Sequence, residues 1–194
     1  MALLQASAGQ LLNAGKIDNT VQVHQGWYSV YTSEDSKSTH ATTSARTQVR
    51  SAVRALAEKH SGENLSVIVT GHSLGGALAT LCAFDLVENA DVSAGVYVAA
   101  VVFGCPQVGN AAFKRRVETH PNLNILQVRN AGDVVPQLPD SALPFYVPIA
   151  TAGLEIQHPG NWYDVANNHS LIVTLDALRG KLNNGLAVQT DGLE

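Results

Sequence analysis

The sequence predicts an α/β protein with a mostly parallel sheet flanked by helices. Three short apolar runs, at 65–70, 96–103 and 123–128, are separated by segments of helical periodicity, the alternation that builds parallel sheets. The first run leads directly into Gly71-His72-Ser73-Leu74-Gly75, a G-x-S-x-G turn between a strand and a helix rich in small residues. The apolar runs lack polar alternation, as expected of strands covered on both faces.

In chain order, 1–22 is an atypical N-terminal segment whose apolar stretch is broken by Gln5 and Ser7 and lacks a basic region ahead of it, unlike a signal peptide. Residues 44–60 place Val49, Val53 and Leu56 at helical spacing, with Arg46, Arg50, Arg54 and Lys59 elsewhere, and end at Ser61-Gly62. This predicts an amphipathic helix laid on the sheet. A strand at 65–70, a helix at 74–87 and a strand at 96–103 follow, then a turn at Gly104-Cys105-Pro106. A short helix at 110–119 carries Lys114, Arg115, Arg116 and Glu118 as a solvated face. The strand at 123–128 exits into 130–136, a loop at the carboxyl edge where open α/β sheets place their chemistry. Residues 139–164, rich in Pro and Gly, predict a hairpin or an irregular connection, 168–178 a helix, and 183–194 a flexible tail. The whole of 1–194 reads as one domain.

Composition narrows the function classes. With 45% hydrophobic residues and a formal net charge of -4, the chain can bury a core and has no basic footprint for nucleic acid. Cys82 and Cys105 are too few for a disulfide framework. No apolar run is long enough to span a membrane. A cytoplasmic location is expected, with a plastid open should a transit peptide precede Met1. The sequons at Asn64 and Asn168 are read as unglycosylated, since each touches a segment needed for fold or chemistry.

The turn around Ser73 carries the chemistry. A nucleophile there sits on a strained backbone that tolerates only tiny neighbours. Gly71 and Gly75 meet that demand, and a larger residue at Gly75 is expected to unfold the turn. In this arrangement an Asp or Glu and then a His follow the Ser along the chain. His24, His40, His60 and His72 lie at or before Ser73, leaving His120, His158 and His169. His120 precedes Pro121 at a helix end and reads as a solvated cap. His169 is preferred as the base, with His158 in a Gln-His-Pro-Gly turn as the alternative. Asp133 is the preferred acid, since it follows a strand directly. Asp85 lies on the helix after Ser73, Asp91 in the next loop, and Asp140 in an ordinary turn sequence, while Asp164 is too close to His169 and decorates the surface. The Leu74 N–H, next after the nucleophile, is the expected oxyanion donor. No metal or cofactor is called for.

Four ordered blocks add specificity: His24-Gln25-Gly26-Trp27-Tyr28 with Tyr31-Thr32-Ser33, then 70–79, then Phe103-Gly104-Cys105-Pro106-Gln107-Val108-Gly109-Asn110, then Val128-Arg129-Asn130-Ala131-Gly132-Asp133-Val134-Val135-Pro136. In these blocks, which are spread along most of 23–180, the chain resembles the class 3 (fungal-type) lipases, and among them the plant phospholipase A1-type acylhydrolases. The resemblance implies an α/β-hydrolase fold, hydrolysis of acyl esters of lipids, and a triad on Ser73, Asp133 and His169. The third block is expected to line the carboxyl edge, with Gly104, Pro106 and Gly109 either shaping a strand exit or serving the site directly. Family members carry further strands upstream, an Arg-Gly-Thr or Gly-Ser type segment supplying the second oxyanion donor, and a lid; residues 1–22 display neither segment.

The expected substrates are phospholipid, galactolipid or triacylglycerol, met during transient contact with a lipid surface. The alternative is a non-catalytic lipase-like interaction protein or an inactive truncated lipase. A serine peptidase of the same fold is disfavoured by the first and third blocks.

Overall fold

The computed structural model describes residues 5–8, 11–12, 18–139, 145–157 and 163–183. Its centre is a four-stranded sheet of β3 (Ser66–His72), β4 (Tyr97–Phe103), β5 (Leu123–Asn130) and β6 (Ala152–Ile156), adjacent in that order and all parallel. Register pairs His72 with Phe103 and Phe103 with Val128. The ends of β3, β4 and β5 therefore lie level, and the residues just beyond them share one carboxyl edge.

The helix after β3, α3 (Leu74–Glu88), is mostly apolar and buried along most of its length, as a helix enclosed by its neighbours is. Ala77, Leu81 and Phe84 pack with Val98, Ala100, Val102, Leu123 and Ile125. Across the chain from it, α4 (Ala111–Glu118) supplies Phe113, which meets Phe84 edge-on at 4.9 Å between ring centres. A smaller cluster of Val128, Leu154 and Ile156 is closed by Ala177 and Leu178 of α6 (Leu171–Asn183).

A second sheet pairs β1 (Gln5–Ser7) antiparallel with β2 (Gln22–His24). The N-terminal segment thus holds a strand, and its Ala8, Leu11 and Leu12 are buried in the main core. The helix expected at 44–60 forms, and Val53 packs against the core, but the rest of its expected docking face needs correction. The helix α2 (Ala45–Lys59) forms with Ser44 as its cap, yet buries none of its residues, and Leu56 is 58% exposed. Its neighbour is α1 (Gln25–Thr32), a helix without strong periodicity to announce it, rather than the sheet. Its arginines make the attachment: Arg46 holds Asp85 at 2.8 and 2.9 Å, and Arg50 and Arg54 hold Asp91. Both carboxylates are fully buried, and a buried charge requires such partners. Burial raises the Asp85 carboxyl above its ordinary value, and Arg46 opposes that.

Other expectations shift in detail. The stretch 139–164 contains β6, and its residues 140–144 and 158–162, with Asp140 and His158 among them, lie outside the described residues, as does the tail from 184. The expected helix at 168–178 is split into α5 (Val165–Asn168) and α6, with His169 and Ser170 in the break. Arg116 is not a purely solvated charge, since it pairs with Glu88 on α3. His120 is bonded to the same carboxylate at 2.7 Å rather than solvated. Asp164 caps α5 by accepting from the Asn167 N–H. Asn168 is buried, whereas Asn64 is exposed. Among the described residues, no helix is long and apolar enough to cross a membrane.

Candidate active site

Ser73 occupies the one-residue joint between β3 and α3 with φ 55° and ψ −128°, a conformation L-residues rarely adopt. Three contacts hold it there. The Ser73 N–H donates to the Phe103 carbonyl at 2.9 Å. A Cβ on Gly71 would lie 2.1 Å from the Gly75 carbonyl oxygen, and one on Gly76 would lie 3.0 Å from Cys105 Cβ. The sensitivity assigned to Gly75 therefore belongs to Gly71: a Cβ at Gly75 meets nothing within 4 Å. Gly75 matters through its backbone, which crosses Gly71.

The structure brings Ser73, His169 and Asp133 together. Ser73 Oγ is 2.8 Å from His169 Nε2, and His169 Nδ1 is 2.8 Å from Asp133 Oδ2. A carboxylate only accepts, so Nδ1 carries the proton and Nε2 is left to accept from the Ser73 hydroxyl. Asp133 enters from the turn after β5, and its other oxygen accepts the Val135 N–H at 2.9 Å. Its side chain is almost wholly buried, while the His169 ring keeps one face toward solvent.

Further residues hold this trio. Gly104, at the end of β4 with φ +52°, lies directly beneath the acid and base: a Cβ there would be 2.8 Å from Asp133 Oδ2 and 3.1 Å from His169 Nδ1. Of the two roles open to the third block, Gly104 thus serves the site. Gly109 and Asn110 instead tie β2 to the segments that follow β4 and precede β6, Gly109 by bridging Val23 and Val147 and Asn110, the cap of α4, by accepting the Gln22 N–H. Asn130 Nδ2 donates to the Asn168 carbonyl at 3.3 Å, and Gly132 leaves room for the Asn168 side chain. His72 Nε2 is 2.7 Å from the His169 carbonyl oxygen. The available signals were slight: a His beside the nucleophile, and a glycine at the exit of the next strand.

The Leu74 N–H is the first of α3, where no intrahelical acceptor exists. The thiols offer no rival nucleophile, because burial pushes Cys82 up to about 11 and Cys105 up to about 12, leaving them protonated at neutral pH. Among the described residues, no group of three or more His, Cys, Asp or Glu side chains is placed to hold a metal ion.

A strand–Ser–helix joint with this trio at the carboxyl edge invites comparison with known proteins. The family model described as Lipase (class 3) matches residues 3–142. The chain belongs to the class 3 lipases. The match begins within the N-terminal segment, twenty residues before the first block recognised in the sequence. Among curated relatives, Phospholipase A1-II 6 of Oryza sativa subsp. japonica is 52% identical over 127 residues, covering 60% of this chain and 31% of the relative. Phospholipase A1-IIdelta of Arabidopsis thaliana is 37% identical over 153 residues, covering 74% and 37%. The chain therefore spans about a third of the length of these relatives.

Among solved structures, a triacylglycerol lipase whose catalytic centre is described as a serine protease triad aligns with TM-score 0.54 and 29% identity, covering 73% of this chain and 46% of that one. The Rhizomucor miehei triacylglyceride lipase aligns with TM-score 0.59 over 90% of this chain and 63% of its own, at 24% identity, a likeness of fold. The chain has the α/β-hydrolase fold.

Proposed function

We propose that the chain is a serine acylhydrolase that cleaves carboxylic acyl esters of lipids, of the phospholipase A1 or triacylglycerol lipase type, through an acyl-enzyme on Ser73. The observation that carries this reading is the continuous hydrogen-bonded series Ser73–His169–Asp133 at the carboxyl edge. In the first half-reaction the Ser73 hydroxyl proton passes to His169 Nε2 as Oγ bonds to the ester carbonyl carbon. The oxyanion of the tetrahedral adduct is met by the Leu74 N–H. Asp133 keeps the imidazole in the tautomer that accepts and stabilises the imidazolium. Collapse expels the alcohol, which takes the proton from His169. Water then attacks the acyl-enzyme, losing a proton to His169, and the acid leaves as Ser73 recovers its hydrogen.

A lipid substrate is supported by what surrounds these groups. Leu74 follows Ser73, Val134 follows Asp133, and Val165 and Ile172 flank His169, and all four are exposed, Ile172 to 74%. Exposed apolar side chains close along the chain to the site residues suit transient contact with a lipid surface. The first test is covalent: a fluorophosphonate probe should modify the folded chain once, at Ser73, with the adduct mapped by mass spectrometry and absent from Ser73→Ala. A folded chain that takes up no probe, or takes it up elsewhere, contradicts the proposal.

A further inference from the structure

His169 sits in a break between α5, a single turn, and α6, and across both helices only Asn168 and Thr174 are buried. Apolar packing anchors α6 farther along, through Ala177 and Leu178, and not at the break that carries the ring. Two side chains from the sheet grip successive carbonyls of that break. From the β5 side, Asn130 Nδ2 donates to the carbonyl of Asn168 at 3.3 Å. From the β3 side, His72 Nε2 approaches the carbonyl of His169 itself at 2.7 Å, with the two imidazole rings 4.6 Å apart and tilted by 36°.

We propose that His72 is a positioning residue for the base: its Nε2–H, donated to the His169 carbonyl, fixes the His169 backbone relative to Ser73. His72 is covalently next to Ser73 at the end of β3, so one strand end carries both the nucleophile and the anchor of its base. The path between them is short and stiff. A carbonyl only accepts, so this contact requires His72 to carry its proton on Nε2. The side-chain hydrogen bond and the ring contact are separable, since Phe keeps the ring without the donor and Gln supplies a donor without the ring. The proposal rests on the reading of Ser73 and His169 as nucleophile and base, but its tautomer and alignment can be read without turnover.

The experiment combines both levels. In the wild-type chain, long-range nitrogen–proton correlations should show His72 as the Nε2–H tautomer; a bare Nε2 overturns the proposal, whether or not the chain hydrolyses anything. With p-nitrophenyl butyrate, His72→Phe should lower kcat about tenfold, as loss of one aligning hydrogen bond would, with KM unchanged. The proton resonance of His169 Nδ1–H should broaden, and His72→Gln should restore both. Wild-type kcat and resonance in His72→Phe, or a loss that His72→Gln fails to restore, also overturn it. Absence of hydrolysis by the wild type with the Nε2–H tautomer in place would instead count against the acylhydrolase reading alone.

Discussion

Gly104 shows how closely the Asp133–His169 pair is fitted to the strand beneath it. Any side chain there meets both partners and must adopt φ +52°, which for an L-residue costs about 1–2 kcal/mol on its own. Gly104→Ala should therefore lower kcat by on the order of 10², the effect of moving a reacting group by about an ångström, while circular dichroism remains that of a folded chain. Normal turnover in Gly104→Ala would show that the pair tolerates displacement. Ser73, Asp133 and His169 were legible in the sequence because a motif and a chain order restrict the choice. Gly104 was marked with two roles left open, and the roles of Asn130 and His72 were not legible, because they are contacts between strand ends and a segment far along the chain. The error at Gly75 has the same origin, since the sequence shows which residues are small and not which of two crossing glycines points its missing Cβ at the other's backbone.

At the scale of elements, the strands at 65–70, 96–103 and 123–128 were readable from uninterrupted apolar runs, and α3 from its small-residue composition. The short β6 was hidden by the Pro and Gly around it, and the direction in which α2 docks was hidden by its pattern. Periodicity marked Val49, Val53 and Leu56 as the inner face; Val53 does pack against the core, but Val49 and Leu56 are exposed because the buried carboxylates of Asp85 and Asp91 draw the arginines inward. Arg46→Ala should thus destabilise the fold by about 3 kcal/mol or more, leaving Asp85 short of its principal partner. Leu56→Ala should stay within about 0.5 kcal/mol. Urea unfolding of both measures the contrast, and equal losses would contradict it.

The start of α1 adds a pH dependence. His24 Nδ1 accepts the Gly26 N–H at 3.1 Å, and the ring stacks on Trp27 at 4.2 Å. Burial lowers its pKa below the ordinary 6.5, so the unfolded chain binds the proton more readily. The stability this group contributes is present above that value and is lost as pH falls through the folded-state pKa. His24→Asn keeps a capping acceptor without the titration. It should flatten the decline in Tm below about pH 6.5, and an unchanged Tm–pH slope would remove His24 from the account.

The whole molecule couples one sheet to one chemical edge. Parallel pairing in strict sequence order aligns the ends of β3, β4 and β5, which brings Ser73, Gly104 and the turn bearing Asp133 to a single line. The break before α6 lowers His169 onto it. Among the described residues β3 is an edge strand with Ile68 68% exposed, so the expectation from its apolar run that it is covered on both faces does not hold for this strand. The central claim is that the site works on lipid esters as assembled in these residues. The measurement that tests it is fatty-acid release by the purified chain from phosphatidylcholine and triacylglycerol emulsions, beside Ser73→Ala, with circular dichroism on both. The account predicts release by the wild-type chain that falls by on the order of 10⁶ in the folded variant. No release from a folded wild-type chain, or release that survives in Ser73→Ala, would contradict it.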